Sequence, residues 1–372
     1  MSNETARIVL EGVPKVGFYD GGLKCPENVT FPSCLRAYLE VIGDSYGCEH
    51  TKEQSKNSKI GCAYSYLMGT SGCAFRLSWK KGWYADNQNI VYMSENPDEP
   101  FRQAFESVGY DYEYIGKDGN DEAIFRHRIM ESIRKGRPVL AYGVIGPPEC
   151  CIITGFDENG DVLIGWNFFQ NSPEFRNGLE FEPSGYFRKR NWYKDINGIT
   201  LVGDKKEKAP QREIYTEALR WALKIARSMT YNEIYNGISA YNAWAEQLLR
   251  DDDFPLDNMT LLRKRHTIHN DAVGTVAEGR WYGSMFISLV ARQIPQMAEA
   301  LYKAASCYVE EHDLMWKVWS IAGDFYCDEA KLKEFANPEV RREAAKVILQ
   351  SRDRDIEATE HIERALNYKQ YY

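Results

Sequence analysis

The sequence predicts an α+β domain followed by an all-α helical bundle. Two observations carry this, and a third marks the border. Up to about residue 205, Gly, Pro and short β-branched runs dominate, with helical stretches between them. Beyond that point, long segments repeat their apolar residues every three to four positions. Between the two lies "GDKKEKAPQRE", residues 203–213, a charged stretch with a proline, as a linker would have. The expected domains are therefore 1–205 and 206–372.

The elements follow in order. After a polar, Gly-rich loop, "CLRAYLEVIG" places Leu35, Tyr38, Leu39 and Ile42 at i, i+3, i+4 and i+7, one face of a helix closed by Gly43. Pro32 and Ser33 are its expected start, so Cys34 is expected at its N-terminal end, where the helix dipole favours a thiolate. "CAYSYLMG" is a second helical run. "NIVYMS" reads as a strand, "PFRQAFESVG" as a helix, "YDYEYIG" as an alternating strand and "DEAIFRHRIMESIRKG" as a helix capped by Gly136. "RPVLAYGVI" is a strand, "CCIITGFDENGDVLIGW" a hairpin turning at Glu-Asn-Gly-Asp, and "ITLVGD" the closing strand. In the second half, "REIYTEALRWALKIARSM" and "YNEIYNGISAYNAWAEQLLR" are amphipathic helices. A third spans roughly residues 271–293, a fourth starts after Ile294, and the last starts at Pro338.

Composition excludes several classes of function. The 372 residues carry a net charge of −8, and Lys and Arg are interleaved with acids, so nucleic acid is not an expected partner. No apolar run of about 18 residues exists, so no membrane span is expected. "MSNETARIVLEG" lacks the basic and apolar regions of a signal peptide, and the expected compartment is the cytoplasm. Nine scattered cysteines show no paired Cys-x-x-Cys spacing, so neither a metal site nor another cofactor is expected. "HTIH", with His266 and His269 and Asp271 close by, is a weak metal pattern. Aromatic residues make up 13% of the chain, which suits an aromatic-lined cavity. "MWKVWSIAGDFY" offers an aromatic stripe through which a homodimer is expected.

A cysteine near a helix start, then "GRPVLAYGV", a short loop and "ECCIITGFDENGDVLIGWNFF" form an ordered set. In that order the chain resembles the papain-like, bacteriocin-leader-peptidase-like superfamily. Within it the chain is similar to proteins related to the butirosin-biosynthesis H protein, in which a papain-like domain precedes a helical region. "YSYLMGTSGCAFRLSW" is similar to a Gly-x-Ser-Gly-x-Ala-Phe-Arg stretch of that group. The resemblance covers roughly residues 8–205. It implies a nucleophile at Cys34, an oxyanion-hole amide at Asn28, a base at position 149 and an orienting side chain at Asn167. The base position holds Glu149 rather than histidine.

That departure has a physical cost. An imidazolium stabilises a thiolate, whereas a carboxylate opposes it, at about 1.4 kcal/mol for each pKa unit. The helix dipole supplies only about 0.3–1 kcal/mol. His50 and His127 are the remaining candidate bases in the first half. Arg76 in "SGCAFRLSW" has the fork geometry for an anion, and Trp79, Trp83, Tyr84 and Cys150 are expected to line a cleft. The expected function is a papain-like scaffold with an incomplete dyad that binds a small molecule or peptide. The alternatives are a Cys34-dependent acyltransferase or amide hydrolase, and a helical protein-interaction module.

Overall fold

The computed structural model describes residues 7–18, 26–44, 62–228 and 230–368. In chain order its regular elements begin with β1 (Ile8–Val9), α1 (Thr30–Val41), α2 (Cys62–Thr70), β2 (Ser78–Lys80), α3 (Glu99–Val108) and β3 (Tyr110–Gly116). Then come α4 (Glu122–Arg134), β4 (Val139–Tyr142), β5 (Cys150–Asp157), β6 (Val162–Trp166), β7 (Glu180–Phe181), β8 (Phe187–Arg190) and β9 (Gly198–Lys205). The chain ends with α5 (Gln211–Arg227), β10 (Ile234–Asn236), α6 (Ile238–Leu248), α7 (Met259–Gln293), α8 (Ala298–Ala322), α9 (Glu329–Phe335) and α10 (Pro338–Leu366).

These elements form two compact units, and the division is not a single cut. Residues 1–64 and 108–208 form one unit; residues 65–107 join 209–372 in the other. The expected border near 206 is one of the crossing points, but residues 65–107 belong with the helices rather than with the sheet. Their aromatic side chains account for this. Tyr66 lies edge-on to Tyr215 at 6.3 Å, Phe75 packs on Tyr308 at 5.7 Å, and Trp79 stacks on Trp244 at 5.9 Å. Each such pair adds about 0.5–1.5 kcal/mol beyond area burial.

In the first unit the sheet runs β3-β9-β4-β5-β6-β8-β7, all neighbours antiparallel, and β1 pairs with Phe156 and Gly155 beyond the end of β4. Gly155 is required there, because a Cβ would lie 2.5 Å from the Ile8 carbonyl oxygen. Side chains alternate faces. Val139, Ala141, Cys151 and Ile153 share a core with Phe125, Ile129 and Ile133 of α4. The alternate set, Leu140, Tyr142, Cys150 and Ile152, faces the side on which α1 lies against β5. With both faces covered, β5 is buried from Cys150 to Phe156, which is why its sequence runs apolar instead of alternating. The expected caps are present: Gly43 and Gly136 take positive φ just past α1 and α4.

Some elements depart from the sequence reading. "NIVYMS" forms a 3₁₀ turn over Ile90–Tyr92, because the Asn89 side chain accepts the Val91 N–H and curls the backbone. α7 starts at Met259, capped by Asn258 twelve residues before the expected start. In "YNEIYNGISAYNAWAEQLLR" the first residues form β10, paired with β2, and only the remainder is helical.

The second unit packs α7, α8 and α10 around a core containing Trp79, Trp244, Val276, Met315 and Ile348. Charge sits inside this unit. Arg280 on α7 is fully buried, with Nη2 2.6 Å from Asp355 Oδ2, Nε 3.2 Å from Glu311 Oε2, and Nη1 donating to the Ala74 carbonyl at 2.8 Å. Burial beside Asp355 pushes the Glu311 carboxyl well above its ordinary range, since two acids share one guanidinium. Arg280→Leu leaves both acids without their cation. Urea unfolding should show a loss of about 3–5 kcal/mol; a change under about 1 kcal/mol would mean that the network holds nothing together.

Candidate functional site

The residues expected to form a dyad meet where α1 crosses the start of β5. Thr30, the first residue of α1, donates its hydroxyl to Glu149 Oε2 at 2.6 Å, and the same Oγ1 accepts the Cys150 N–H at 3.3 Å. One helical turn further on, the Cys34 thiol donates to the Cys150 carbonyl at 3.6 Å. Thr30 and Cys34 reach this line together because residues i and i+4 share a helix face. Cys34 and Glu149 therefore belong to one locus, joined through Thr30 and Cys150.

The details differ from a working dyad. α1 begins at Thr30, so Cys34 is its fifth residue and lies beyond the first turn, where the dipole acts. The expected placement at the helix start is corrected accordingly: Pro32 lies inside the first turn, where its missing N–H costs no intrahelical bond, so the helix extends N-terminally past it. Cys34 is 0% exposed. Asn28 is half-buried, two residues ahead of α1.

Asn167, buried just after β6, accepts the Phe169 N–H at 2.7 Å and donates its own N–H to Gln170 Oε1 at 2.9 Å. Its side chain also offsets part of the upward push that burial gives the Cys151 thiol. It orders a turn, and has no hydrogen bond to Glu149 or Cys34 among the described residues. His127 is exposed on α4, 4.0 Å from Glu131, and His50 lies outside the described residues.

The electrostatics oppose ionisation of the neighbouring thiols. Burial, then Cys34, Cys151 and Glu149, push the Cys150 thiol well above its ordinary value. Burial does the same to Cys151, with Cys34 adding to it. Tyr142 on β4 has its hydroxyl 3.2 Å from Thr200 Oγ1; burial and then Cys150 raise its phenol well above the usual value. Among the described residues, the principal groups acting on Cys150 and Cys151 are thiols, a carboxylate and neutral amides, with no cation among them.

The expected ligand-lining residues divide between the units. Cys150 is in the sheet unit and buried; Arg76, Trp79 and Tyr84 are in the helical one. Trp79 offers no surface to a ligand: it is 0% exposed, sandwiched by Trp83 at 5.5 Å and Trp244. Arg76 donates from Nε to the Gln88 carbonyl and from Nη1 to the Cys73 carbonyl, closing the loop between them. Tyr84 is exposed. His266 and His269 both pack on Phe335. His266 Nε2 is 3.1 Å from the Ala322 carbonyl and 3.2 Å from Cys327 Sγ, and His269 Nδ1 accepts from Trp244 at 3.2 Å. They are core histidines, and among the described residues they join no cluster of three metal-ligating side chains.

Thr30, Tyr142 and Cys151 are the participants that sequence reasoning missed. Only Thr30 carried a signal, its position one turn before Cys34. Thr30→Val removes a donor to Glu149 and an acceptor for Cys150 while keeping the shape. Chemical denaturation should register a loss of about 1–3 kcal/mol, and an unchanged midpoint would show that this contact does not fasten α1. Among known proteins, no family model matches the chain, and no curated protein is found as a relative.

Proposed function

We propose that this chain is a papain-like scaffold that has given up cysteine chemistry and acts by binding a small molecule or peptide in its N-terminal unit. One observation carries the reading: the thiol in the nucleophile position is buried and hydrogen-bonded to the Cys150 carbonyl, while the acid in the base position is held by Thr30. A nucleophilic cysteine needs a partly exposed, electropositive setting; Cys34 is buried, and among the described residues no cation bonds to it. An acyl-transfer enzyme would need substrate to reach Cys34, and it would need a cation or a tuned base beside it. Glu149 in its place is instead a hydrogen-bond acceptor that positions α1.

Iodoacetamide labelling read by peptide mass spectrometry tests this. In the folded protein Cys34 should remain unmodified under conditions that fully label the urea-unfolded chain, and Glu149→His should confer no hydrolysis on peptide or thioester substrates. Any ligand that raises the melting temperature should do so equally in Cys34→Ser. Rapid labelling of native Cys34, or a turnover that Cys34→Ser abolishes, would overturn the reading in favour of the enzyme.

A further inference from the structure

The strongest unexplained group lies in the helical unit. His361 on α10 is 7% exposed, and among the described residues its ring makes no hydrogen bond. Nδ1 is buried without a partner, and Nε2 has only Glu357 Oε1, 3.8 Å away and one turn back on the same helix. Nε2 is the nitrogen turned toward the glutamate, and at 3.8 Å it is too far for a hydrogen bond, so it can take a ligand that the described residues do not supply. Opposite it, on α8, lies Cys307, 5% exposed. One donor atom from each of Cys307, Glu357 and His361 lies within 4.8 Å of the others.

We propose that Cys307, Glu357 and His361 form a binding site for a single divalent metal ion of the zinc class. The donor set of one thiolate, one imidazole and one carboxylate selects a borderline-soft cation over magnesium or calcium. Around zinc, with bonds of about 2.0–2.3 Å, tetrahedral ligand atoms lie about 3.3–3.6 Å apart. The histidine–glutamate pair is within a few tenths of an ångström of that, and rotation of the Cys307 side chain closes the rest. Two of the ligands come from an i, i+4 pair on one helix, which fixes their spacing before any metal arrives.

The carboxylate is also held from behind. Arg354 Nη1 sits 2.8 Å from Glu357 Oε2, leaving Oε1 turned toward His361. Glu357 is the most exposed of the three, so the fourth coordination position opens to water on its side. Burial pushes the Cys307 thiol up to about 12. Glu357 and Glu311 and Glu310 add to this and Arg354 opposes it, while Lys303, Glu360 and Arg364 are the charges beside His361. The ligand form is the thiolate, so metal uptake releases the Cys307 proton.

The test uses the full-length chain, stripped with chelator and titrated with zinc alone or cobalt(II) alone. The account expects one equivalent of zinc, and a cobalt complex with a thiolate charge-transfer band and the intense visible bands of tetrahedral cobalt. Cys307→Ser should abolish the charge-transfer band, and Glu357→Gln, on the exposed side of the site, should weaken zinc binding at least about tenfold. Circular dichroism of each variant confirms that the helices persist. A folded wild-type chain that binds no stoichiometric zinc would overturn the proposal. So would a band and affinity that survive both substitutions, which would place the metal on other cysteines.

Discussion

The seam between α1 and β5 is the constraint on which the reading of this protein depends. Two side chains one helical turn apart, Thr30 and Cys34, bond to three consecutive polar groups where β5 begins: the Glu149 carboxylate, the Cys150 N–H and the Cys150 carbonyl. Cys150 is the first residue of β5 and pairs with Tyr142, so the seam fixes the helix to the strand at a defined register. Each bond contributes only about 0.5–1.5 kcal/mol net, but leaving the buried Cys150 groups unpaired would cost more. The arrangement uses the atoms that a thiol hydrolase would need free. The Cys34 thiol thus has a carbonyl acceptor, and one oxygen of the half-buried Glu149 carboxylate has a hydroxyl donor.

Much of the architecture was legible in the sequence because it rests on local signals. The period-2 and period-3.6 patterns located most of the sheet and the long helices, and Gly43, Gly136 and Pro338 marked ends that the structure keeps. What was not legible depends on contacts distant in sequence. Residues 65–107 lie before several sheet strands, yet belong to the helical unit, because Tyr66, Phe75 and Trp79 pack among aromatic residues more than 130 positions away. No window of the sequence contains both partners. The "NIVYMS" error has the opposite origin: β-branched composition suggested a strand, and a single asparagine side chain outweighed it.

The site was legible in part. The resemblance implied that Cys34, Glu149, Asn28 and Asn167 act together; the structure joins Cys34 and Glu149 through Thr30 and Cys150, while Asn167 bonds within its own turn. Burial was the missing quantity. Trp79 and Arg76 carry side chains suited to a cleft, but whether an indole lines a cavity or fills a core depends on Trp83 and Trp244, the latter in a distant helix. The Cys307, Glu357 and His361 cluster was invisible for the same reason: two of its members share a helix, but the third comes from another, and no paired-cysteine spacing announces it.

The most direct probe of the central claim is the state of the Cys34 sulfur in the folded protein. An infrared difference spectrum between the wild type and Cys34→Ser at neutral pH isolates the S–H stretch of that residue. The account predicts a band, shifted by hydrogen bonding to a carbonyl and unchanged by added chelator or salt. A difference spectrum with no S–H band would mean that the sulfur is ionised, and the seam would then have to be reinterpreted as an active thiolate.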